Sequence, residues 1–439
     1  MSQADSKLAN RILLGLVIGA AAAVVVLIIG SFFPPILEAA RSISSAILDP
    51  LGQVFLRLLF FVVIPLVFAS LAMGVVQLGK LSDLGPLAGR TFLLFVANMA
   101  IGVALGLIMM NVLQPGGRLD PQTQVELAQE YGGAAQGAIE TRQKQPELNL
   151  NTLVQMFMPR NLFGAFVGNN RDALGEVLPL IVFAILVGAA GTQMDEARRE
   201  KLRSGLELTT ELMTRIVRFA LLLAPFAVPA MIFSVVVKIG FDILIALGLF
   251  VVGALAVMAL HLFGTLSLWL KLGTRRSPAH FFKNIVPVLV TAFSTSSSSA
   301  TLPASLATAR EVLGVRPSTA GFVLPLGATM NMSGTALYEG CVVLFVAQVF
   351  GVDLSFAQQV TLLALAVMSA VAVAGIPGGS LPLIAGLLIT FGIPPEGIGI
   401  VLGADRILDM ARTTVNVGAD LATAVLVDER TKRSDGVTE

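Results

Sequence analysis

The sequence predicts an all-α integral membrane protein with eight transmembrane helices and two re-entrant helical hairpins. Three observations carry this. Of 439 residues, 55% are hydrophobic and only 13% charged, with a mean hydropathy of +0.85, and a soluble domain of that size needs far more polar surface. Apolar runs long enough to cross about 30 Å of hydrocarbon recur along the whole chain. Two further apolar segments are interrupted by Ser, Gly and Pro where a helix should continue.

In chain order, Lys7 and Arg11 precede an apolar run from Ile12 to Phe33. The run is too long for the core of a typical signal peptide, so it is expected to stay as the first span. Further spans fall near 46–78, 91–113, 175–191, 207–237, 241–270, 319–350 and 396–427, and the two broken segments cover 278–310 and 356–393. The stretch 115–150 is polar, acid-leaning and Gln-rich, and reads as an extramembrane loop. No tandem repeat is visible.

Basic residues cluster before span one (Lys7, Arg11), between spans two and three (Lys80, Arg90) and between 191 and 207 (Arg198, Arg199, Lys201, Arg203). They recur after 270 (Lys271, Arg275, Arg276, Lys283) and at the end (Arg430, Lys432, Arg433). If spans alternate, these clusters share one side, which predicts a multi-pass protein of the inner (plasma) membrane with both termini cytoplasmic. The net charge of +1 gives no sign of a nucleic-acid partner, and no cofactor is expected. A single cysteine, Cys341, excludes an internal disulfide or a cysteine metal cluster, and two histidines, His261 and His280, argue against a histidine metal site.

The last span is the most informative. Asp405, Asp409, Arg412, Thr413, Asn416 and Asp420 fall within roughly a 100° arc of a helix turning about 100° per residue. Ionisable groups inside a membrane helix are expensive and face the protein interior or an aqueous cavity. The plainest account is a packing salt bridge between Asp409 and Arg412, but four ionisable groups with Thr and Asn exceed what one bridge requires. Arg412 offers a planar fork suited to a carboxylate. Asp409, one turn earlier, suits an ammonium group. Asn416 and Asp420 supply hard oxygens for a small cation such as Na+.

The first broken segment holds Ser294 to Pro303, including Ser297 and Ser298. A serine run between two apolar arms reads as a hairpin tip whose amides and hydroxyls face an anion, although such a run is also a common linker. The second holds Ala374-Gly375-Ile376-Pro377-Gly378-Gly379-Ser380, either a kinked loop or a re-entrant tip. Between them, Gly327, Thr329, Asn331, Met332, Ser333 and Thr335 lie in mid-span, where an unwound patch would present carbonyls to a cation. Glu339 follows one turn later and is a candidate proton carrier, unless a hydrogen bond simply satisfies it. Paired broken segments point to a transporter binding site, because unwound backbone at membrane depth persists only beside a cavity.

These residues resemble the dicarboxylate/amino acid:cation symporters, the family of glutamate and aspartate transporters, over nearly the whole chain. The serine-rich hairpin, Asn331 to Thr335, the Ala-Gly-Ile-Pro-Gly tip and the stripe from Asp405 to Asp420 carry the resemblance. It implies an elevator-type transporter and a homotrimer within membrane lipid. Scaffold helices one and two would occupy 1–90, transport helix three 91–114, an extracellular loop 115–152, and scaffold helices four and five 153–237, with an interrupted fourth helix over 153–191. Transport helix six would occupy 238–276, the core of hairpin one, helix seven, hairpin two and helix eight 277–427, and a cytoplasmic tail 428–439. The resemblance further implies an acidic amino acid as substrate. Arg412 would take its side-chain carboxylate and Asp409 its amino group. Thr413, Asn416 and Thr335 would line the site, and Ser297, Ser298, Gly375 and Pro377 at the hairpin tips would hold the α-carboxylate. Gly327, Asn331, Asn416 and Asp420 would form one sodium site, and Thr329 and Met332 part of another.

The chain also departs from the family. Ser333 stands where the family carries an Asp of a third sodium site. Phe95, Asn98 and Met99 replace that site's hydroxyl-bearing partners on helix three. Ser296 and Met410 stand where archaeal and eukaryotic members, respectively, place an additional arginine. The expectation is a cation-coupled aspartate or glutamate importer lacking the third sodium site. Proton coupling through Glu339 and a C4-dicarboxylate substrate are the neighbouring readings. A charged-ring channel and a membrane enzyme fit less well: paired broken segments suit a closable site, and the serine run has no neighbouring histidine.

Overall fold

The computed structural model describes residues 3–77, 85–130, 158, 160–163, 177–372 and 380–434. Among these residues there are helices and the turns between them, and no strand. The helices are α1 (Gln3–Phe32), α2 (Pro34–Ile43), α3 (Asp49–Phe60), α4 (Val63–Gln77), α5 (Gly85–Leu113) and α6 (Pro121–Glu130). Then come α7 (Val177–Thr192), α8 (Glu196–Ile239), α9 (Asp242–Ala259), α10 (Leu266–Gly273), α11 (Pro278–Thr295) and α12 (Ser298–Ala307). The chain closes with α13 (Pro317–Met330), α14 (Ser333–Val349), α15 (Phe356–Ala372), α16 (Leu381–Thr390) and α17 (Ile398–Ser434).

Among the described residues, four stretches are long and apolar enough to cross a membrane: Leu14–Phe32, Leu87–Arg118, Asp242–Gly273 and Pro317–Val349. A fifth arises if Glu196–Val217 and Leu222–Lys238, bent by 52°, count as one. The remaining predicted spans come in shorter pieces or carry charge. The 46–78 span is divided into α3 and α4 by a turn at Phe61 and Val62. About half of the expected interrupted fourth helix, and the second hairpin tip with Gly375 and Pro377, lie outside the described residues.

The basic cluster before the 207–237 span is helical and continuous with it, so α8 runs for 44 residues. Local chemistry accounts for this. The Asp195 side chain caps the Arg198 amide at 3.0 Å. Glu200 and Glu207 both pair with Arg203, at 2.6 and 3.1 Å, at helical spacing. Pro225 and Pro229 sit farther along α8, where α1 packs against it. Gly19 allows that approach: a methyl group there would lie 2.6 Å from the Pro229 carbonyl oxygen.

Burial separates the inner helices from the outer ones. The window of Pro317–Val349 is 94% buried, against 22% for Leu14–Phe32 and 44% for Leu87–Arg118. The core is thus α13, α14 and α17, with α5, α9 and α11 laid around them. The span α13–α14 is continuous except at Asn331 and Met332, where neither residue has helical ψ (67° and 55°). The expected unwound patch is therefore present, and it lies in the most buried span of the molecule.

Arms α11 and α12 fold back on each other. At the tip the Thr295 and Thr301 hydroxyls are 3.2 Å apart, and at the base the Arg276 guanidinium donates to the Leu313 carbonyl. The reversal is made by Ser297, which is extended, and by Ser296, in the left-handed region at φ 49°. Serine is uncommon there, and the Thr295 hydroxyl, accepting from the Ser297 amide at 3.3 Å, helps hold the turn.

Substituting Gly19→Val should overpack the α1–α8 contact and cost about 1–3 kcal/mol. Thermal unfolding of the purified protein should register this as a lowered midpoint, while Gly205→Ala on α8, whose added methyl meets nothing and which improves helix propensity, should leave it unlowered or slightly raised.

Candidate functional site

The polar stripe of α17 is buried: Asp405, Asp409, Arg412, Thr413, Asn416 and Asp420 all lie inside the bundle. Burying a charge costs several kcal/mol unless it is paired and hydrogen-bonded, so each group should have a partner. Arg412 Nε and Nη2 both reach Asp409 Oδ1, at 2.9 and 2.7 Å, and Nη1 lies 3.5 Å from Asp405 Oδ1. The plain ion pair considered from the sequence is thus present, and it is one link of a longer chain. The Tyr338 hydroxyl, from α14, donates to Asp405 Oδ1 at 2.9 Å. The guanidinium also stacks over the Tyr338 ring, 4.8 Å from its centroid. On the far side, Arg406 Nη1 lies 3.7 Å from Asp409 Oδ2.

One turn farther, Asn416 reaches across to the start of α14. Its Oδ1 accepts from the Gly334 and Thr335 amides at 2.7 and 3.4 Å. Its Nδ2 donates to Thr335 Oγ1 and Met332 Sδ, each at 3.2 Å. The first amides of a helix have no partner within it, and Met332 gives α14 no side-chain cap. Asn416 supplies that cap from a different helix, which ties the broken span to the stripe.

A further turn along, Asp420 Oδ1 accepts from Asn331 Nδ2 at 2.9 Å. Gly327 lies directly against the same carboxylate, and a methyl group there would collide with it. The Gly327 carbonyl accepts from the Asn331 amide at 2.9 Å. Among the described residues, Asn331 Oδ1 is buried and meets no hydrogen-bond partner. Gly327, Asn331 and Asp420, spread over 94 positions of sequence, therefore converge on one buried, oxygen-rich spot.

Other predicted residues sit less centrally. The Thr413 hydroxyl donates to the Asp409 carbonyl at 2.8 Å, and that of Thr329 to the Leu326 carbonyl at 3.0 Å, so both bond within their own helices. Ser297 Oγ caps α12 by accepting from the Ala300 amide at 3.2 Å, and Ser298 is buried beside it. Arm α12 packs against both α13 and α17. Glu339 is fully buried, and among the described residues neither carboxyl oxygen is within hydrogen-bonding geometry of a partner. Ser369 of α15 faces it, just outside that geometry.

The altered positions cluster as well. Phe95, Asn98 and Met99 on α5 are buried, as is Ser333 at the head of α14. Helices α5 and α14 pack in parallel register: Gly102 sits against the Ser333 carbonyl, and Gly106 against Leu337 and Cys341. Among the described residues, the side-chain polar atoms of Asn98, Ser333 and His261 are buried along this seam without hydrogen-bond partners.

Two residues escaped the sequence reading. One is Tyr338, since nothing local announces a partner 67 positions away. Arg406 lies at about 100° from Asp405 on the helical wheel, one step beyond the arc drawn. A slightly wider arc would have included it.

A family profile, that of the Sodium:dicarboxylate symporter family, matches residues 8–430. The chain belongs to that family. It is 32% identical over 425 residues to a proton/sodium-glutamate symport protein of Bacillus caldotenax, covering 96% of this chain and 94% of the relative. It is 30% identical over 436 residues to a proton/glutamate-aspartate symporter of Escherichia coli (97% and 93% covered). A more distant relative is an excitatory amino acid transporter of Caenorhabditis elegans, 27% identical over 406 residues (86% and 80% covered). Membership makes this a membrane transport protein and not an enzyme.

Replacing Tyr338 by Phe removes the hydroxyl donor to Asp405 and leaves the ring under Arg412. A hydrogen bond to a charged group is worth about 1.5–3 kcal/mol, so thermal unfolding should occur at a lower temperature than in the wild type. Tyr338→Leu, which also removes the stacked ring, should lower it further.

Proposed function

We propose that the protein is a secondary active symporter that imports an acidic amino acid, aspartate or glutamate, driven by a cation gradient. The observation that carries this is the Asp405–Arg412–Asp409 group, buried on a helix of apolar neighbours, in a chain of a symporter family whose relatives are named for glutamate and aspartate. Arg412 receives the substrate's side-chain carboxylate through its planar fork. Asp409 receives the amino group, which favours an amino acid over a C4-dicarboxylate. Thr413, Asn416 and Thr335 line the site, and the tips at Ser297, Ser298, Gly375 and Pro377 hold the α-carboxylate. Entry of a carboxylate exchanges one anionic partner of Arg412 for another, so the guanidinium is never left uncompensated.

The oxygen set of Gly327, Asn331 and Asp420, with the partnerless Asn331 Oδ1, has the chemistry of a small monovalent cation site. Asn416, Thr329 and Met332 complete the proposed sodium positions. With Ser333, Phe95, Asn98 and Met99 in place of acid and hydroxyl groups, a third sodium position is lost. We read the chain as eight transmembrane helices and two re-entrant hairpins in the cytoplasmic (inner) membrane, with both termini inside. In that arrangement 1–90 and 153–237 form a scaffold, and 91–114 and 238–427 an elevator-type transport unit within a homotrimer. A proton-coupled version has its own support. Glu339 is a fully buried carboxyl group faced by Ser369, and the E. coli relative is named for proton symport.

Purified protein in liposomes should accumulate labelled aspartate unchanged when a sodium gradient is imposed. Arg412→Lys keeps the charge but loses the fork, and uptake should fall at least about tenfold. Uptake that survives Arg412→Lys at the wild-type rate would remove the substrate assignment. A proton gradient without sodium separates the two coupling schemes. If it drives uptake, Glu339→Gln should abolish that component. Strict sodium dependence with an unaltered Glu339→Gln rate eliminates proton coupling.

A further inference from the structure

Helices α9, α11 and α17 enclose an open groove of about 420 Å³, a volume that takes a chain-sized ligand. Its floor is α17, at Ala411, Thr414 and Val415. The Thr414 hydroxyl donates to the Met410 carbonyl at 2.9 Å, so it is satisfied within its own helix and the groove is apolar. One end is marked by the Phe263 and Phe282 rings, whose centroids are 5.1 Å apart, and the other by Phe293. Val286 and Val290 on the α11 wall are exposed, and among the described residues nothing covers them. From Phe282 to Phe293 the wall rises about 16 Å. One leaflet of a bilayer is about 15 Å of hydrocarbon deep, half of the full core. The groove therefore has the depth of a single leaflet.

We propose that this groove binds one acyl chain of an anionic phospholipid, whose headgroup is held by Lys271, Arg275 and Lys283. The charge at its end selects the occupant. Helix α10 and the turn that leads into α11 carry Lys271 and Arg275, and the second turn of α11 carries Lys283, all three exposed. Arg276, between them, is engaged in donating to the Leu313 carbonyl. Lys283 and Val290 are seven residues apart, so on a helix they share one face to within about 20°. The Lys283 ammonium thus stands on the groove's own face, at the end nearer the basic turn. Clusters of Lys and Arg beside an apolar cleft in a membrane protein attract anionic headgroups. A zwitterionic headgroup brings its own ammonium, which these cations repel. An acyl chain in the groove would lie against Ala411 and Thr414, the residues that bracket Arg412 and Thr413. It would supply the packing contacts that an unfilled groove forfeits, on the helix that carries the polar stripe.

The test uses the purified full chain in detergent, titrated with phosphatidylglycerol or with phosphatidylcholine of the same acyl chains. Native mass spectrometry counts the lipid retained, and thermal unfolding is followed in parallel. The wild type should retain one phosphatidylglycerol per chain at least about tenfold more tightly than phosphatidylcholine, and unfold at a higher temperature in its presence. Changing Lys271, Arg275 and Lys283 together to Gln should bring the two lipids to within a few-fold, because each basic residue near an anionic headgroup is worth about fivefold. Val290→Trp places a ring in the groove without touching the charges, and most of the phosphatidylglycerol should be lost. If that variant does not fold, Val286→Phe is the milder filling change. Equal retention of the two lipids by the wild type overturns the proposal, as does phosphatidylglycerol retention that neither the neutral nor the filled variant alters. A filled variant that changes the number of chains in the assembly and not the lipid count would make the groove a contact between copies, and would overturn it too. None of these readouts depends on which solute is carried.

Discussion

A guanidinium buried among apolar helices must be given anions and a face to stack on, and Arg412 dictates much of what surrounds it. Asp409, at three residues' remove, satisfies it along α17. Asp405 and the Tyr338 ring satisfy it from the next turn and from α14. Tyr338 in turn must lie on a helix that meets α17 face to face, and α14 is buried along nearly its whole length. The packing of the two core helices and the electrostatics of the site are therefore one requirement. The arrangement costs desolvation that an apolar core would avoid, and such a cost is borne in membrane helices chiefly where function needs the charge.

The second constraint is the broken span. Interrupting a helix at Asn331 and Met332 frees backbone groups at membrane depth, where no water is at hand to take them up. The break is repaired from across the bundle: Asn416 caps the head of α14, and Asp420 receives the Asn331 side chain. Gly327 is the residue whose absence of a side chain lets Asp420 come close enough. The small and amide residues of this stretch are thus there to build a seam, and their spacing mirrors that of Asn416 and Asp420 one turn apart on α17.

Much of this was legible in the sequence. The stripe on α17 was visible because ionisable residues on one helical face stand out against Ile, Leu and Val. The breaks at Ser294–Pro303 and Asn331–Met332 were visible because Ser, Pro, Gly and Asn punctuate apolar runs. Partners were harder to read. Nothing in local pattern pairs Tyr338 with Asp405 or Asn416 with Met332, since such contacts depend on how helices pack in three dimensions. The boundaries of crossing helices were also blurred. Charged residues 196–207 proved helical because their Glu–Arg spacing supports a helix in water as well as apolar residues do in lipid, and hydropathy registers only the latter.

The same seam gives a physical route for coupling in the proposed symporter. Asn331 and Met332 are neighbours in the unwound patch. The first bonds Asp420 in the cation set, and the second meets the Asn416 amide that also holds Thr335 in the substrate set. Any cation that engages Asp420 and Asn331 Oδ1 would fix the geometry of this patch, and with it Met332 and the amides that Asn416 caps. Substrate drawn to Thr335 and Asn416 fixes the same two residues from the other side. Each ligand would then meet a patch already ordered by the other, so each binds more tightly in the other's presence, and by linkage the gain is equal in both directions. Two helical residues in place of Asn331 and Met332 would leave the two sets joined only through the stiff turn of α17. In the proposed symporter, a break of two residues would thus make coupled sites of adjacent ones.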